Sequence, residues 1–186
     1  MDENIEIGSD EFVLRKPTQE DLPFIKEYRQ EFLDNGDSMD GTSNLSQYTD
    51  MVEWFQFITL SGQRETCRAD WVPDTQYIFV RKSDGRVVGM LDIRDELNEE
   101  CLKYYGHIGY SIRKSERKKG YATLQLKAAL EVCKKKKLSR VLITCDRENV
   151  ASVRTILANG GALENEIYDP NDNTMTQRYW IDLGKM

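Results

Sequence analysis

The sequence is poor in the residues that build metal sites and covalent frameworks. Its 186 residues include four cysteines and one histidine, and the cysteines lie far apart with no CxxC pair. Structural zinc sites need clustered Cys and His ligands, and disulfide scaffolds need a regular cysteine spacing. We therefore predict no metal site and four free thiols.

Long hydrophobic runs are also missing. No stretch approaches the roughly 20 apolar residues that span a bilayer, and the acidic residues 1–12 lack the positive flank and apolar run of a secretory signal. We expect a cytoplasmic protein that does not act at a membrane.

Basic residues are outnumbered, 26 against 32 acidic ones, which gives a formal net charge of -6. This balance argues against a general binder of DNA or of anionic lipid, because such partners require a positive surface field. The deficit is uneven, since residues 113–140 contain eleven basic and two acidic residues. One basic stretch in an acidic chain suits a compact anionic ligand better than a long nucleic-acid backbone.

The order of hydrophobic patterns predicts a single mixed α/β (α+β) domain. It indicates a strand, two helices, three strands, a helix, a strand, a helix and two closing antiparallel strands. Asp84-Gly85 favours a hairpin between residues 76–82 and 86–94, and Gly160-Gly161 ends the last helix. We expect a mostly antiparallel central sheet flanked by helices on both faces, in a domain of residues 12–184 that follows an acidic extension of residues 1–11.

The most informative segment, residues 106–122, is predicted to be a strand, a basic loop and a helix start. Backbone N–H groups at a helix N-terminus lack intrahelical partners and lie at the positive end of the helix dipole, so they attract phosphate. A glycine at position 120 lets the backbone approach a diphosphate, and residues 113–119 add five basic side chains against one acidic one. An exposed, solvated loop is the alternative interpretation of this charge.

This segment resembles the acetyl-CoA loop of the GNAT superfamily of N-acetyltransferases, which reads Arg or Gln, two residues, Gly, any residue, then Gly or Ala. The matching residues are Arg117, Lys118, Lys119, Gly120, Tyr121 and Ala122. The resemblance implies that this backbone holds the pyrophosphate of acetyl-CoA. It also implies that the strand of residues 109–112 splays from its neighbour and offers main-chain groups to the pantetheine arm, and Ile112 and Arg113 are both predicted to contact the cofactor.

A second resemblance lies downstream, where such enzymes carry Asn, two residues, then Ala or Ser, and four residues later often Tyr. Asn149 and Ser152 match and are predicted to contact the cofactor, while Asn149 also suits a helix N-cap. Ile156 replaces the Tyr that commonly protonates the departing thiolate. A thiol with a pKa near 8.5 is nevertheless a tolerable leaving group without a dedicated acid.

The acceptor amine also needs help to lose its proton. Many family members place a Glu on the strand before the loop, and the expected spacing puts Gly106 at that position. Nearby candidates are His107 and Tyr110, which we predict as catalytic residues, together with Tyr105 and Asp92. A lone histidine is more often a hydrogen-bonded structural residue, and that interpretation of His107 stays open.

The resemblance predicts an acetyl-CoA-dependent transferase that acetylates an amine of a small molecule or peptide by direct transfer. The missing Tyr and Glu leave open a noncatalytic protein that binds acyl-CoA. The four lysines of residues 134–137 complement a helix C-terminus, but they also leave open an RNA- or ribosome-binding module. A homodimer is compatible with the sequence, which does not identify the acceptor.

Overall fold

The structure is a computed structural model, and it describes residues 4–9 and 11–184. Its strands are β1 (Ile5–Ile7), β2 (Phe12–Arg15), β3 (Asp74–Arg81), β4 (Arg86–Arg94), β5 (Ile108–Ile112), β6 (Arg140–Asp146), β7 (Ala162–Asp169) and β8 (Thr174–Asp182). Its longer helices are α1 (Leu22–Asn35), α2 (Met51–Ser61), α3 (Tyr121–Lys135) and α4 (Val150–Ala158).

The strands form two antiparallel sheets. The first has the order β1-β2-β3-β4-β5, and the second has the order β6-β8-β7, so the last strand of the chain lies between the two that precede it. Strands β5 and β6 meet where the two sheets adjoin. This arrangement confirms the predicted mixed α/β class with mostly antiparallel strands.

Helices cover both faces of the five-stranded sheet and create two hydrophobic cores. One core joins Leu126 of α3 and Ile156 of α4 to the strands of both sheets. The other joins Tyr28 of α1 and Trp54 of α2 to one face of β3 and β4. Strands β4 and β5 therefore lie between two helical layers, with α1 and α2 on one face and α3 and α4 on the other.

Local signals account for the helix boundaries. Asp50 caps α2 by accepting a 2.8 Å hydrogen bond from the Val52 N–H, and the helix therefore begins at Met51. Pro23 lies in the first turn of α1, where its missing N–H costs nothing. The left-handed Gly36 ends that helix.

A strand and a turn of π-helix were not predicted. Ile5–Ile7 lies within the segment assigned to an N-terminal extension, yet it pairs with β2 as an edge strand and packs its isoleucines on the core. Residues 1–3 and 10 lie outside the described residues. A turn of π-helix, Cys101–Tyr105, interrupts the charged loop before β5. Both elements are too short to give a hydrophobic period.

The four cysteines are free thiols, as predicted. Among the helices of the described residues, none is both long and apolar enough to cross a membrane.

Candidate active site

The predicted phosphate loop connects β5 to α3. A 3-10 turn, Lys114–Glu116, follows the strand, and the chain then reaches Gly120, which has a left-handed φ of 81° and is the N-cap of α3. Lys118 is also left-handed, with φ 63°. The two turns direct the chain into the helix, so the motif lies where the sequence placed it.

The N-terminus of α3 differs from those of α2 and α4. Asp50 and Asn149 cap those two helices through their side chains, whereas Gly120 has no side chain to do so. A Cβ at position 120 would meet no heavy atom within 4 Å, so this helix end faces open space. The first N–H groups of α3 are therefore available to an anion, with the positive end of the helix dipole behind them.

Three of the five basic side chains of residues 113–119 form ion pairs within the domain. Arg113 is 5% exposed and pairs with Glu31 of α1 at 2.6 Å. Arg117 pairs with Asp37 at 2.9 Å, and Lys119 pairs with Glu116 at 2.8 Å. These ion pairs hold the loop in shape, and the side chain of Arg113 does not face the helix N-terminus.

Two further contacts fix the loop from below. Arg117 Nε donates a 2.9 Å hydrogen bond to the carbonyl of Ile112, the last residue of β5. Glu116, 3% exposed, also accepts from Arg81 at 3.0 Å. Burial raises the pKa of Glu116, but Lys119 and Arg81 outweigh it and hold that pKa below its usual value. Glu116 is therefore a buried carboxylate that orders the loop.

The other predicted cofactor residues of this segment are Lys118, Tyr121 and Ala122. Tyr121 packs on Phe12 with ring centroids 4.7 Å apart, so its ring belongs to the core surface. Lys118 is exposed and Ala122 half-buried. The structure thus offers the backbone of this loop, more than its side chains, to a ligand.

Strands β5 and β6 are joined at one end of their contact by His107. The backbone N–H of His107 donates to the Leu142 carbonyl at 2.8 Å, and the ring Nδ1 of His107 accepts from the Leu142 backbone N–H at 2.9 Å. The strands belong to separate sheets, and beyond this point no ladder pairing joins their described residues. His107 therefore marks the point from which the two strands separate.

The neighbouring Gly106 explains the missing Glu. It has φ 64°, and a Cβ there would lie 2.6 Å from the Leu142 carbonyl oxygen. No side chain fits between Gly106 and β6, so this position could not carry a carboxylate.

The contacts of His107 favour a positioning role. Its side chain is engaged by backbone at Nδ1, and burial lowers the pKa of its ring to about 4. A neutral ring with an occupied Nδ1 can act as a proton acceptor only after the bond to Leu142 breaks. Its catalytic role stays a prediction.

The separation between β5 and α4 is bridged by two hydroxyl groups. Tyr110 Oη lies 2.7 Å from Ser152 Oγ, and Ser152 in turn donates its N–H to the Asn149 side chain at 3.1 Å. Asn149 is thus a helix cap, as one of its two predicted roles required. Burial raises the pKa of Tyr110 to about 12, so its hydroxyl keeps its proton at neutral pH. Ile156 is fully buried one turn further along α4.

The opposite face of β5 is covered by the loop between α1 and α2. A Cβ on Gly41 would lie 2.2 Å from the Gly109 carbonyl oxygen, so the two backbones touch. Ser111 Oγ donates to the Asp40 carbonyl at 2.5 Å, and Gln76 Nε2 donates to the Gly41 carbonyl at 2.9 Å. No sequence pattern pointed to this contact, apart from a segment rich in Gly, Ser and Asp.

A buried carboxylate lies beside this contact. Asp92 of β4 is 4% exposed, and its Oδ1 accepts from the Gly109 N–H at 2.9 Å. Its Oδ2 accepts from Arg94 at 2.9 Å. Burial raises the pKa of Asp92 to about 6, Arg94 opposes the rise, and the nearby carboxyl of Asp74 adds to it. The described residues contain no cluster of three or more His, Cys, Asp or Glu that could hold a metal ion.

Similar folds occur among solved structures. RimL, a ribosomal L7/L12 alpha-N-protein acetyltransferase in complex with coenzyme A, has a TM-score of 0.72 and 17% identity, with 96% of this chain and 97% of that chain covered. The ribosomal-protein-S5-alanine acetyltransferase from Vibrio fischeri has a TM-score of 0.69 and 14% identity, with 96% of each chain covered. The Microcin C7 self-immunity acetyltransferase MccE, in complex with acetyl-CoA and AMP, has a TM-score of 0.67 and 17% identity, with 93% of each chain covered.

Comparison with curated proteins finds no significant match. The sequence model of the acetyltransferase (GNAT) domain family matches residues 11–162. This region contains β5, the phosphate loop, α3, β6 and α4. Because the match extends over most of the chain, the protein belongs to the acetyltransferase (GNAT) domain family.

Proposed function

We propose that this protein transfers the acetyl group of acetyl-CoA to a primary amine of a small molecule or peptide by direct attack in a ternary complex. The observation that carries the proposal is the uncapped N-terminus of α3 at the end of β5. Its family motif, its left-handed Gly120 and its fixed loop all lie at that junction. The family match and the similar fold of acetyltransferases in complex with CoA or acetyl-CoA support it.

The residues present fit such a cosubstrate. The backbone of residues 117–122 would hold the diphosphate at the positive end of α3, and the main chain of residues 109–112 would bind the pantetheine arm beside the gap between β5 and β6. Acetyl-CoA supplies an acetyl group activated as a thioester. The chain has to position that thioester, supply a proton to the departing sulfur and remove protons from the amine.

The hydroxyl pair of Tyr110 and Ser152 suits the departing sulfur. It bridges β5 and α4 at 2.7 Å on the side where these elements separate. Both groups keep their protons near neutral pH, so one can donate to the thiolate while the other supports it. This pair would replace the family Tyr, whose position is occupied by the buried Ile156.

The acceptor side is negative. The pKa of Tyr105 is raised by partial burial and by the carboxylates of Asp169 at the end of β7, Glu100 before the π-helical turn and Asp172 in the β7–β8 turn. A negative potential attracts a protonated amine to this side of the site. Two of the proteins of similar fold are described as acting on ribosomal proteins, which makes a peptide amine a reasonable first acceptor to test.

The lysines of residues 134–137 give the nucleic-acid alternative little support. Lys134 pairs with Glu131 at 2.7 Å, and Lys136 pairs with Asp95 at 2.9 Å. Two of the four charges are thus neutralised within the domain, and the helix C-terminus accounts for the rest.

Two measurements test the function. Calorimetry with acetyl-CoA should show binding, and an assay for free CoA thiol should show release with at least one amine among polyamines, amino acids, aminoglycosides and peptides with free N-termini. Binding without release from any acceptor would replace the proposal by the noncatalytic acyl-CoA-binding alternative. RNA binding that falls steeply with salt, without any heat from acetyl-CoA, would replace it by the nucleic-acid module.

A further inference from the structure

The proposed transfer, on which this inference rests, needs a group that removes a proton from the amine. An alkylamine with a pKa near 10.4 is only about one part in 2,500 neutral at pH 7, and a peptide α-amine with a pKa near 7.8 is about one part in seven. Attack on the thioester requires the neutral form. A proton acceptor close to β5 would raise the rate for both kinds of amine.

Three of the candidate positions, Gly106, His107 and Tyr110, do not offer such a group. Gly106 has no room for a side chain beside Leu142. His107 already accepts a hydrogen bond at Nδ1. The hydroxyl of Tyr110 points towards Ser152 of α4, on the side assigned to the departing sulfur.

Asp92 lies on the other side of β5, where the α1–α2 loop crosses the strand. It is opposite Gly109 in the β4–β5 register, and its Oδ1 is bound to the Gly109 N–H at 2.9 Å. Since Gly109 has no side chain, nothing separates this carboxylate from the β5 backbone. A Cβ on Gly109 would lie 2.8 Å from Asp92 Oδ1 and 3.1 Å from the Gly41 backbone, so only glycine fits between Asp92 and the α1–α2 loop.

We propose that Asp92 is the proton acceptor for the attacking amine. An ammonium group loses two protons when it becomes an amide. Asp92 takes the first from the nitrogen and passes it to solvent, which leaves a neutral amine. The second is released as the C–N bond forms and the C–S bond breaks, and it ends on the CoA sulfur by way of the Tyr110–Ser152 hydroxyls.

The groups around Asp92 suit this role. Asp74 of β3 faces it, and the negative charge of Asp74, which accepts a 2.8 Å hydrogen bond from Ser43, makes a second nearby charge unfavourable. Arg94 acts in the opposite direction at 2.9 Å, and the Cys101 thiol of the π-helical turn is a further titratable neighbour. Burial and Asp74 raise the pKa of Asp92 above its usual value and so bring it closer to neutral pH, which suits a group that takes and then releases a proton.

The test compares three variants with the wild type, using the acceptor that gives most CoA release among spermidine, an alanyl peptide and kanamycin. Asp92→Asn should lower kcat at pH 7 by roughly 100-fold or more while the Kd of acetyl-CoA stays unchanged. Asp74→Asn removes the neighbouring charge, so the acidic limb of the kcat profile should move to lower pH. Asp95→Asn, which changes an exposed carboxylate at the end of the same strand, is the matched control and should behave as the wild type.

The outcomes separate the two proposals. If Asp92→Asn keeps the turnover of the wild type and the acidic limb of its pH profile, the role of Asp92 is overturned. The acetyltransferase function would stand. An Asp92→Asn protein that loses both its melting transition and acetyl-CoA binding, with no shift of the limb in Asp74→Asn, would reduce Asp92 to a structural residue. Absence of turnover in the wild type with every acceptor would overturn both proposals.

Discussion

Substitutions at Gly120 separate backbone strain from charge at the phosphate loop. This residue has φ 81°, and a Cβ would meet no heavy atom within 4 Å, so Gly120→Ala adds strain without a clash. The left-handed region costs a residue with a Cβ about 1–2 kcal/mol, which corresponds to a melting temperature lower by about 2–8 °C for a chain of this size. Gly120→Asn should cost less, because asparagine tolerates that region better.

Gly120→Glu adds a negative charge where we expect the diphosphate. At about 6 Å and an effective dielectric constant between about 20 and 80, each pair of charges costs about 0.7–3 kcal/mol. Two phosphate charges should together weaken acetyl-CoA binding by at least about tenfold. Because exposed charges are screened by salt, the loss should shrink as ionic strength rises from about 0.1 to 1 M.

The assay is calorimetric titration of acetyl-CoA into each variant at both ionic strengths, with thermal melts in parallel. Gly184→Glu is the matched control. Like Gly120, Gly184 is a left-handed glycine with open space around it. It lies near Ser139, at the other end of α3 from the predicted phosphate site. Equal affinities of Gly120→Glu and Gly120→Ala would refute the assignment of the phosphate to this helix end.

The other predictions concern buried polar groups. Burial lowers the pKa of His107 to about 4, from about 6.5 in the unfolded chain. Between these pH values the unfolded state binds more protons than the folded state. The free energy of unfolding should therefore fall by at most about 3 kcal/mol as the pH drops through that range. His107→Gln should flatten this slope in urea titrations at several pH values, and an unchanged slope would contradict the assignment. Gln125 is fully buried, and its two amide atoms have no hydrogen-bond partner among the described residues. Gln125→Leu should therefore stabilise the protein by about 1–3 kcal/mol, whereas a lower melting temperature would show that the amide is satisfied. Tyr110→Phe should lower kcat by about 100-fold without changing the Kd of acetyl-CoA, and adding Ser152→Ala should cost little more because the two hydroxyls act as a unit; additive losses would separate their roles.

Much of the fold was predictable because its signals are local. Asn149 and the Gly160-Gly161 pair mark the ends of α4, and Asp84-Gly85 marks the β3–β4 turn, through contacts within a few residues. The strand, turn and helix of the predicted phosphate loop were predictable for the same reason, since the motif is contiguous and its strand and helix adjoin it. β1 was missed because three residues carry no period, and only pairing with β2 makes them a strand.

The candidate site was less predictable where it depends on distant residues. The basic side chain of Arg113 was expected at the cofactor, but it is buried against Glu31, which is 82 residues away in the chain. The close approach of Gly41 to Gly109 joins the α1–α2 loop to β5. Neither partner in such a pair has a local pattern that points to the other.

The sequence by itself determined the order of elements, the position of the phosphate loop and the absence of the family Tyr and Glu. It did so because helix caps, turns and short motifs are set by neighbours along the chain. Only the tertiary structure decided why no side chain fits at Gly106, which hydroxyls bridge β5 and α4, and which carboxylate lies against β5. Those answers depend on packing between strands and loops that are far apart in sequence, and such contacts exist only once the two sheets and both helical layers have assembled.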